Sequence, residues 1–392
     1  MKVKGFIKDV GGASRVTEAR GKAMASANSE ADRFDPIGET ARSIHPGVQK
    51  LVVVSVNDSS KTSRTIRFES KDGHLPYFKP GQYVSINTKI GDSVISRPYS
   101  ISSSPKATLG EHPYIEITIR KTREGFAGNY LYENTKVGDE FLGYVGLGVF
   151  TYEPLRDAKH VLALAGGSGI TPFLSMARAV EDGILDCDLT ILYGSVNEND
   201  IVLKDELDKI NCPRVKIVHV LSGNNPNWTG EKGMLDSLRI SRFLEKDSTI
   251  FIYGPQAMYR FLEKELKKLN IPERRIRREV FGSPKDVTLF PDYPKEKAGE
   301  IYSLTVKRGI YEQVIPARAN EPIAVAIERA GILFPTDCRS GACGFCRSKV
   351  LSGEVYVSPE NDGRRAADKD YGYFHLCSTY PLSDVTVKIA IV

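Results

Sequence analysis

Residues 338–346 read Cys-Arg-Ser-Gly-Ala-Cys-Gly-Phe-Cys, and Cys377 follows thirty residues after Cys346. The spacing Cys338-x4-Cys343-x2-Cys346 puts three thiols on one tight loop and takes a fourth from a distant segment. That arrangement gives all-thiolate ligation to two irons, a [2Fe–2S] cluster. Gly341 and Gly344 permit backbone conformations that a side chain would forbid, and let N–H groups point at sulfur. Zinc is the competing reading, but structural zinc usually takes its ligands as two short-spaced pairs, and here Cys377 stands alone. Cys187 and Cys212, far apart and unpaired in sequence, read as small core residues.

Around this loop lies a chain of 392 residues, long enough for two to four domains. With 41% hydrophobic and 26% charged residues it has the composition of a soluble globular protein. A net charge of +5 over this length is weak ground for a nucleic-acid partner. The densest basic stretch, Lys264 to Arg278, reads as the solvated face of a helix and its following turn. The N-terminus lacks the apolar region of a signal peptide, and the best apolar run, Val161 to Ala165, is far too short to span a bilayer. A cytoplasmic protein without a membrane span is expected, its cysteines serving as ligands or core residues rather than disulfides.

Residues 1–48 differ from everything after them. Ser14 to Phe34 is rich in Ala, Ser, Glu and Arg, good for a helix with little to bury. It reads as an arm lying on the body of the protein or docking a partner, or else as a partly ordered extension. Residues 49–154 carry short β-rich runs (LVVVSV, TIRFES, GQYVSI, RPYSIS, YIEITIRK) between turn residues, which predicts an antiparallel barrel or sandwich. Residues 155–282 alternate strands with helices, the pattern of a doubly wound parallel sheet. Residues 283–300, with three prolines and many charges, read as a linker. Residues 301–392 return to strands, with one helix near Pro322–Ala330. The fold class is thus multi-domain, α/β plus β.

The cysteine loop resembles plant-type ferredoxin domains over about residues 301–392, including His375-Leu376-Cys377 and Pro381 with Asp384. The resemblance implies a β-grasp fold and a low-potential, one-electron cluster on Cys338, Cys343, Cys346 and Cys377. Upstream, Arg97-Pro98-Tyr99-Ser100 ends a barrel strand, where a cation can hold phosphate, a ring can cover a flavin face and a hydroxyl can reach a ring nitrogen. Alone the tetrapeptide says little; its order with Ile117–Leu131 and a later Gly-rich turn resembles the ferredoxin–NADP reductase superfamily over about residues 50–282. That resemblance implies that Arg97, with Pro98 beside it, contacts flavin phosphate, Tyr99 the isoalloxazine, and Ser100 its N5 region, the catalytic position. It also places Gly125, Phe126, Ala127 and Gly128 in a second flavin loop whose amides hold a pyrophosphate, with Ile119 and Lys121 leading into it. Such a loop favours FAD over FMN. The chain departs from the family at Gly128, where Ser or Thr is usual, and at Val145-Gly146.

Gly166-Gly167-Ser168-Gly169-Ile170-Thr171-Pro172 follows a buried strand and opens a helix. The glycines let a pyrophosphate approach the backbone, and the helix N-terminus supplies N–H groups. Pro172 sits in the first turn, where its missing N–H costs nothing. NADPH would need a cation for its 2′-phosphate, yet Gly194-Ser195-Val196-Asn197-Glu198 and Leu221-Ser222-Gly223 hold none, which favours NADH. Lys232 reads as a turn residue, and Trp228 and His219 as packing. Tyr253-Gly254-Pro255-Gln256-Ala257-Met258 resembles the family's strand end beside the nicotinamide, with Tyr253 where Cys is usual. The ring either restricts nicotinamide entry or is a structural substitution. Glu279 to Gly282, including Phe281, matches the stretch that closes this domain near the flavin.

NADH gives two electrons at once and a [2Fe–2S] cluster takes one; a flavin between them makes that conversion. The resemblance implies an NADH-dependent electron-transfer reductase that serves a separate terminal redox enzyme, as in oxygenase and epoxidase reductases and the reductase of hybrid-cluster protein. Two rival readings are a slow or non-catalytic redox-sensing or assembly subunit, and a self-sufficient reductase acting directly from the flavin.

Overall fold

The computed structural model describes residues 6–26, 36–44, 47–123, 125–224, 226–280, 282–284 and 286–390. It divides into two compact units, residues 1–43 and 44–392. The first unit is helical: α1 (Phe6–Ala25), then α2 (Pro36–Ile44). In α1, Val16 and Met24 are exposed and Glu18 pairs with Lys22 one turn on, as suits a helix with little to bury.

The second unit begins with six antiparallel strands: β1 (Gln49–Ser60), β2 (Ser63–Ser70), β3 (Tyr83–Ile90), β4 (Ser93–Ser100), β5 (Tyr114–Arg120) and β6 (Glu140–Leu147). Their order is β4-β3-β6-β1-β2-β5, and Ile101, just past β4, bridges to Ile117 of β5, closing the sheet on itself. Period-two alternation fills the interior with Leu51, Val53, Ile66, Phe68, Val84 and Ile86. Helix α3 (Ala127–Asn134) plugs one side against β5.

A parallel sheet follows: β7 (His160–Gly166), β8 (Asp188–Ser195), β9 (Val215–Leu221), β10 (Glu231–Lys232), β11 (Ser248–Tyr253) and β12 (Ile276–Arg278), ordered β10-β9-β8-β7-β11-β12. Along β7, Val161, Ala163 and Ala165 face one core with α4 (Thr171–Glu181), while Leu162 and Leu164 face another with α7 (Gln256–Lys268). The helices α5 (Lys204–Asp208) and α6 (Ser237–Ser241) are single turns, much shorter than the run LKDELDKI suggested for α5. Strand order reverses between β7 and β11, and the crevice at their C-terminal ends is where such sheets bind ligands.

The joint between barrel and sheet is locked by Asp157. Its buried carboxylate accepts from Arg156 and Arg277, each 2.7 Å away, and from the Glu153 amide at 2.9 Å. Burial raises its pKa, but these partners hold it below the ordinary 3.8. A depressed folded-state value stabilises above the unfolded value and is lost as pH falls below it. Asp157→Ala should cost about 3 kcal/mol in urea unfolding at pH 7, less in acid, because Arg277 loses a buried partner; an unchanged midpoint would contradict this.

The last domain has β13 (Ile301–Arg308), β14 (Tyr311–Arg318), α8 (Ile323–Arg329), β15 (Arg347–Ser352), β16 (Val355–Val357), α9 (Ala366–Asp370), β17 (Tyr373–His375), β18 (Thr379–Pro381) and β19 (Val385–Lys388). Its main sheet runs β14-β13-β19-β15-β17, with β13 and β19 parallel and α8 packed across it, a β-grasp fold. Asp384 accepts from the Ser303 amide at 2.8 Å and so pins β19 beside β13. The segment read as a linker is packed: Val287, Phe290 and Tyr293 are buried against Tyr356 and Tyr380.

Candidate functional site

The cysteine loop and Cys377 come together. Cys338, Cys346 and Cys377 are buried and Cys343 is exposed. Their thiols form a chain of contacts, Cys343 to Cys338 to Cys377 to Cys346. Contact with Cys343 and Cys377 holds the Cys338 thiol far below its ordinary range, while the shared protons raise Cys343 and Cys377. Amides of Gly341, Cys343 and Phe345 donate to sulfur at 3.3 to 3.5 Å, and the Ser340 hydroxyl reaches Cys338 Sγ at 3.4 Å. Four thiols gathered in this way form a donor set that suits two irons sharing four thiolates.

Backbone packing shapes the loop. Gly341 has φ +81°, and a Cβ there would lie 2.1 Å from the Asn361 carbonyl oxygen. His375 Nδ1 donates to the Gly341 carbonyl at 2.5 Å, and the buried ring thereby fixes the loop over the cluster ligands. Phe345, half exposed, and Cys343 mark the edge open to solvent.

This loop packs on the barrel. Tyr83 of β3 donates to Asp337, next to Cys338, at 2.6 Å. Burial pushes Asp337 up to about 6 and Glu279 up to about 8, with Cys338 adding to both. Tyr83, Phe150, Tyr259, Glu279, Asp337 and Cys343 line a cavity of about 1210 Å³ where the three domains meet. The Gly282 amide donates to the Cys338 carbonyl at 3.1 Å, and the Ser283 hydroxyl lies 3.0 Å from the Arg339 carbonyl and also meets that of Cys377. Phe281 lies outside the described residues.

The sequence motif at the end of β4 borders a second cavity of about 420 Å³. Arg97, Pro98, Tyr99 and Gly128 line it from the barrel, and Pro322, Val325 and Arg339 from the ferredoxin domain. Burial raises Tyr99 to about 12, although Arg97 opposes it. A Cβ at Gly128 would meet nothing nearer than Ile119 at 4.0 Å, so the backbone is approachable there, whereas at Gly125 a Cβ would lie 2.6 Å from Thr122 Oγ1. These features fit a flavin bearing phosphate: a partly buried cation, an aromatic face and open backbone at Gly128. Two expected contacts stand apart from the cavity. Ile119 is buried in the barrel core, and Lys121 pairs with Glu133 at 2.6 Å on the surface.

The Gly-rich turn lies at the strand-order reversal. Gly167 has φ +54°, and α4 opens at Thr171 with Pro172 next; Thr171 Oγ1 donates to the Ser168 carbonyl at 3.1 Å. A Cβ on Gly169 would lie 2.2 Å from the Tyr253 carbonyl oxygen, and one on Gly166 would lie 2.4 Å from Met258 Sδ and 3.1 Å from Pro255. The turn and the Tyr253-Gly254-Pro255 strand end therefore touch, leaving room for a nucleotide only over bare backbone. Gly194 and Ser195 stand at the next strand end, where the Ser195 carbonyl accepts from the Ser222 amide at 2.9 Å. Trp228 packs edge-on against His219, as expected.

Some contacts were not evident from motifs. The hydroxyls of Ser100 and Tyr253 lie 2.8 Å apart, so the residue replacing the usual Cys spans from the nucleotide strand to the flavin strand. Arg120 leans over Gly167, held by Asp200 and Thr62, and Tyr193 donates to the Gly167 carbonyl at 2.9 Å. Only the aromatic in YGS hinted at the last of these.

Comparisons with known proteins agree with this geometry. The chain matches the oxidoreductase FAD-binding domain over residues 50–152, the oxidoreductase NAD-binding domain over 163–264, and the 2Fe-2S iron-sulfur cluster binding domain over 307–382. It is 29% identical to the glycine betaine monooxygenase reductase subunit of Chromohalobacter salexigens, covering 91% of this chain and 98% of that one. It is 27% identical to the NADH oxidoreductase HCR of Escherichia coli, covering 80% and 89%. Phthalate dioxygenase reductase shares its fold, with a TM-score of 0.63 and 21% identity over 88% of this chain and 98% of that one. No helix among the described residues is long and apolar enough to cross a membrane. With all three domains present in this order, the chain belongs to the flavin reductases of the ferredoxin–NADP reductase superfamily that carry a C-terminal plant-type [2Fe–2S] domain.

Proposed function

We propose that this reductase draws electrons from NADH through FAD, held at Arg97–Ser100, and a [2Fe–2S] cluster on the four C-terminal cysteines, and delivers them to a separate cytoplasmic oxygenase component. The observation that carries it is the seating of the cluster loop on the barrel, through Tyr83–Asp337 and through the shared lining of the Arg97 cavity. A bound flavin takes a hydride and releases single electrons, which joins a two-electron donor to a one-electron cluster.

In this reading the chain's own groups bind and orient. Arg97 holds the flavin phosphate, and Tyr99 covers the ring. The Ser100–Tyr253 hydroxyl pair marks the meeting place of flavin and nicotinamide. The turn through Gly166, Gly167, Ser168 and Gly169 takes the NADH pyrophosphate, with Ser195 and Ser222 toward its adenosine. Cys343 and Phe345 present the exit edge. A glycine betaine monooxygenase reductase as relative supports an oxygenase as the acceptor.

Mixing the protein with NADH without oxygen should bleach flavin absorbance and then produce the electron-paramagnetic signal of a reduced [2Fe–2S] centre. Flavin bleaching with a cluster that stays oxidised would overturn the relay. The N-terminal arm, residues 1–48, is the docking element in this proposal. Its removal should lower partner reduction and spare artificial dyes; equal loss of both would refute that role.

A further inference from the structure

Arg339 directly follows the ligand Cys338, and its guanidinium reaches across to α8. It is about 5% exposed and pairs with Glu328 of α8. The same carboxylate meets Arg97 Nη1 at 3.4 Å, so a guanidinium from the barrel and one from the ferredoxin domain face one anion. Both arginines line the 420 Å³ cavity with Tyr99 and Gly128. One buried guanidinium and one that is 26% exposed face a single carboxylate, an excess of positive charge that a further anion would balance. Arg97 shows the effect: burial, then the neighbouring Arg339, push its pKa down to about 10. Arg339 also holds φ at +59°, a left-handed conformation that glycine would adopt freely and a long side chain does not.

We infer that Arg339 is a second flavin-phosphate residue, so that the ferredoxin domain completes the flavin site and Glu328 is the internal anion with which the phosphate competes. The inference rests on the reading of Arg97 as a flavin-phosphate residue.

The test measures the dissociation constants of FAD, FMN and riboflavin from full-length, cluster-loaded protein by flavin fluorescence. Circular dichroism of the cluster serves as the control for loop integrity. Arg339→Gln should weaken FAD and FMN about ten- to a hundredfold, the scale of a lost charge-assisted hydrogen bond, and leave riboflavin, which has no phosphate, unchanged. Arg339→Lys should retain part of the affinity. Glu328→Gln should move the other way and tighten FAD. If Arg97→Gln lowers phosphate-dependent affinity but Arg339→Gln does not, this inference fails while the flavin site stands. If neither does, the flavin site itself is wrong. Equal loss of riboflavin in Arg339→Gln would show a purely structural role and also overturn the inference.

Discussion

Cys346→Ser should cut delivery of electrons to a one-electron acceptor to below about 1% of the unmodified protein, because without its fourth thiolate the [2Fe–2S] centre does not assemble. Cys346 is 2% exposed, touches Cys377, and begins the turn into β15, so no neighbouring thiol can take its place. NADH-dependent reduction of ferricyanide should persist, since that acceptor draws on the flavin directly. The measurement pairs cytochrome c or partner reduction with ferricyanide reduction, alongside the cluster's visible absorbance. Retained reduction of the partner in the cluster-free variant would sink the relay and favour an enzyme that acts straight from its flavin.

The second large effect belongs to Gly169. An added Cβ would lie 2.2 Å from the Tyr253 carbonyl oxygen, 2.7 Å from its carbon and 2.9 Å from Gly254 Cα. All three are backbone atoms, so no side chain can swing aside. Gly169→Ala must therefore part the turn from the end of β11, and a displacement near 1 Å at a hydride donor costs about a hundredfold in rate. Stopped-flow reduction by NADH should slow by about that factor, while dithionite still reduces flavin and cluster at the usual extent. Normal hydride transfer in this variant would mean that the nicotinamide approaches by another route.

The parts of this protein legible in sequence are those where chemistry is written in neighbouring residues. Cys338, Cys343 and Cys346 share nine residues, and the turn from Gly166 to Gly169 lies between a buried strand and a helix. Short β-rich runs between turn residues pointed to a barrel or sandwich, and Leu51, Val53, Ile115, Ile117 and Ile119 from two of those runs fill the barrel interior. What escaped was written across long separations. Arg97 meets Glu328 over 231 positions and Tyr83 meets Asp337 over 254, pairs that no local period can announce. Tyr253 stood out as a departure, but its partner Ser100 lies 153 positions away. Residues 283–300 misled through their prolines and charges. The spacing of Val287, Phe290 and Tyr293 at three-residue intervals is the apolar signal that the composition masked, and it is this stripe that packs on Tyr356 and Tyr380. Lys121, in a stretch assigned by family order, pairs with Glu133 twelve residues on.

The ties from Gly282 and Ser283 to the carbonyls of Cys338, Arg339 and Cys377 have a kinetic consequence. The backbone leaving the nucleotide sheet grips the cluster loop at once, with no slack tether between them, and α8 lies against β4. A ferredoxin domain held this way does not commute between donor and acceptor. Its internal step is unimolecular, indifferent to protein concentration, and the one diffusive encounter left in the pathway is the arrival of the client protein at the Cys343 edge.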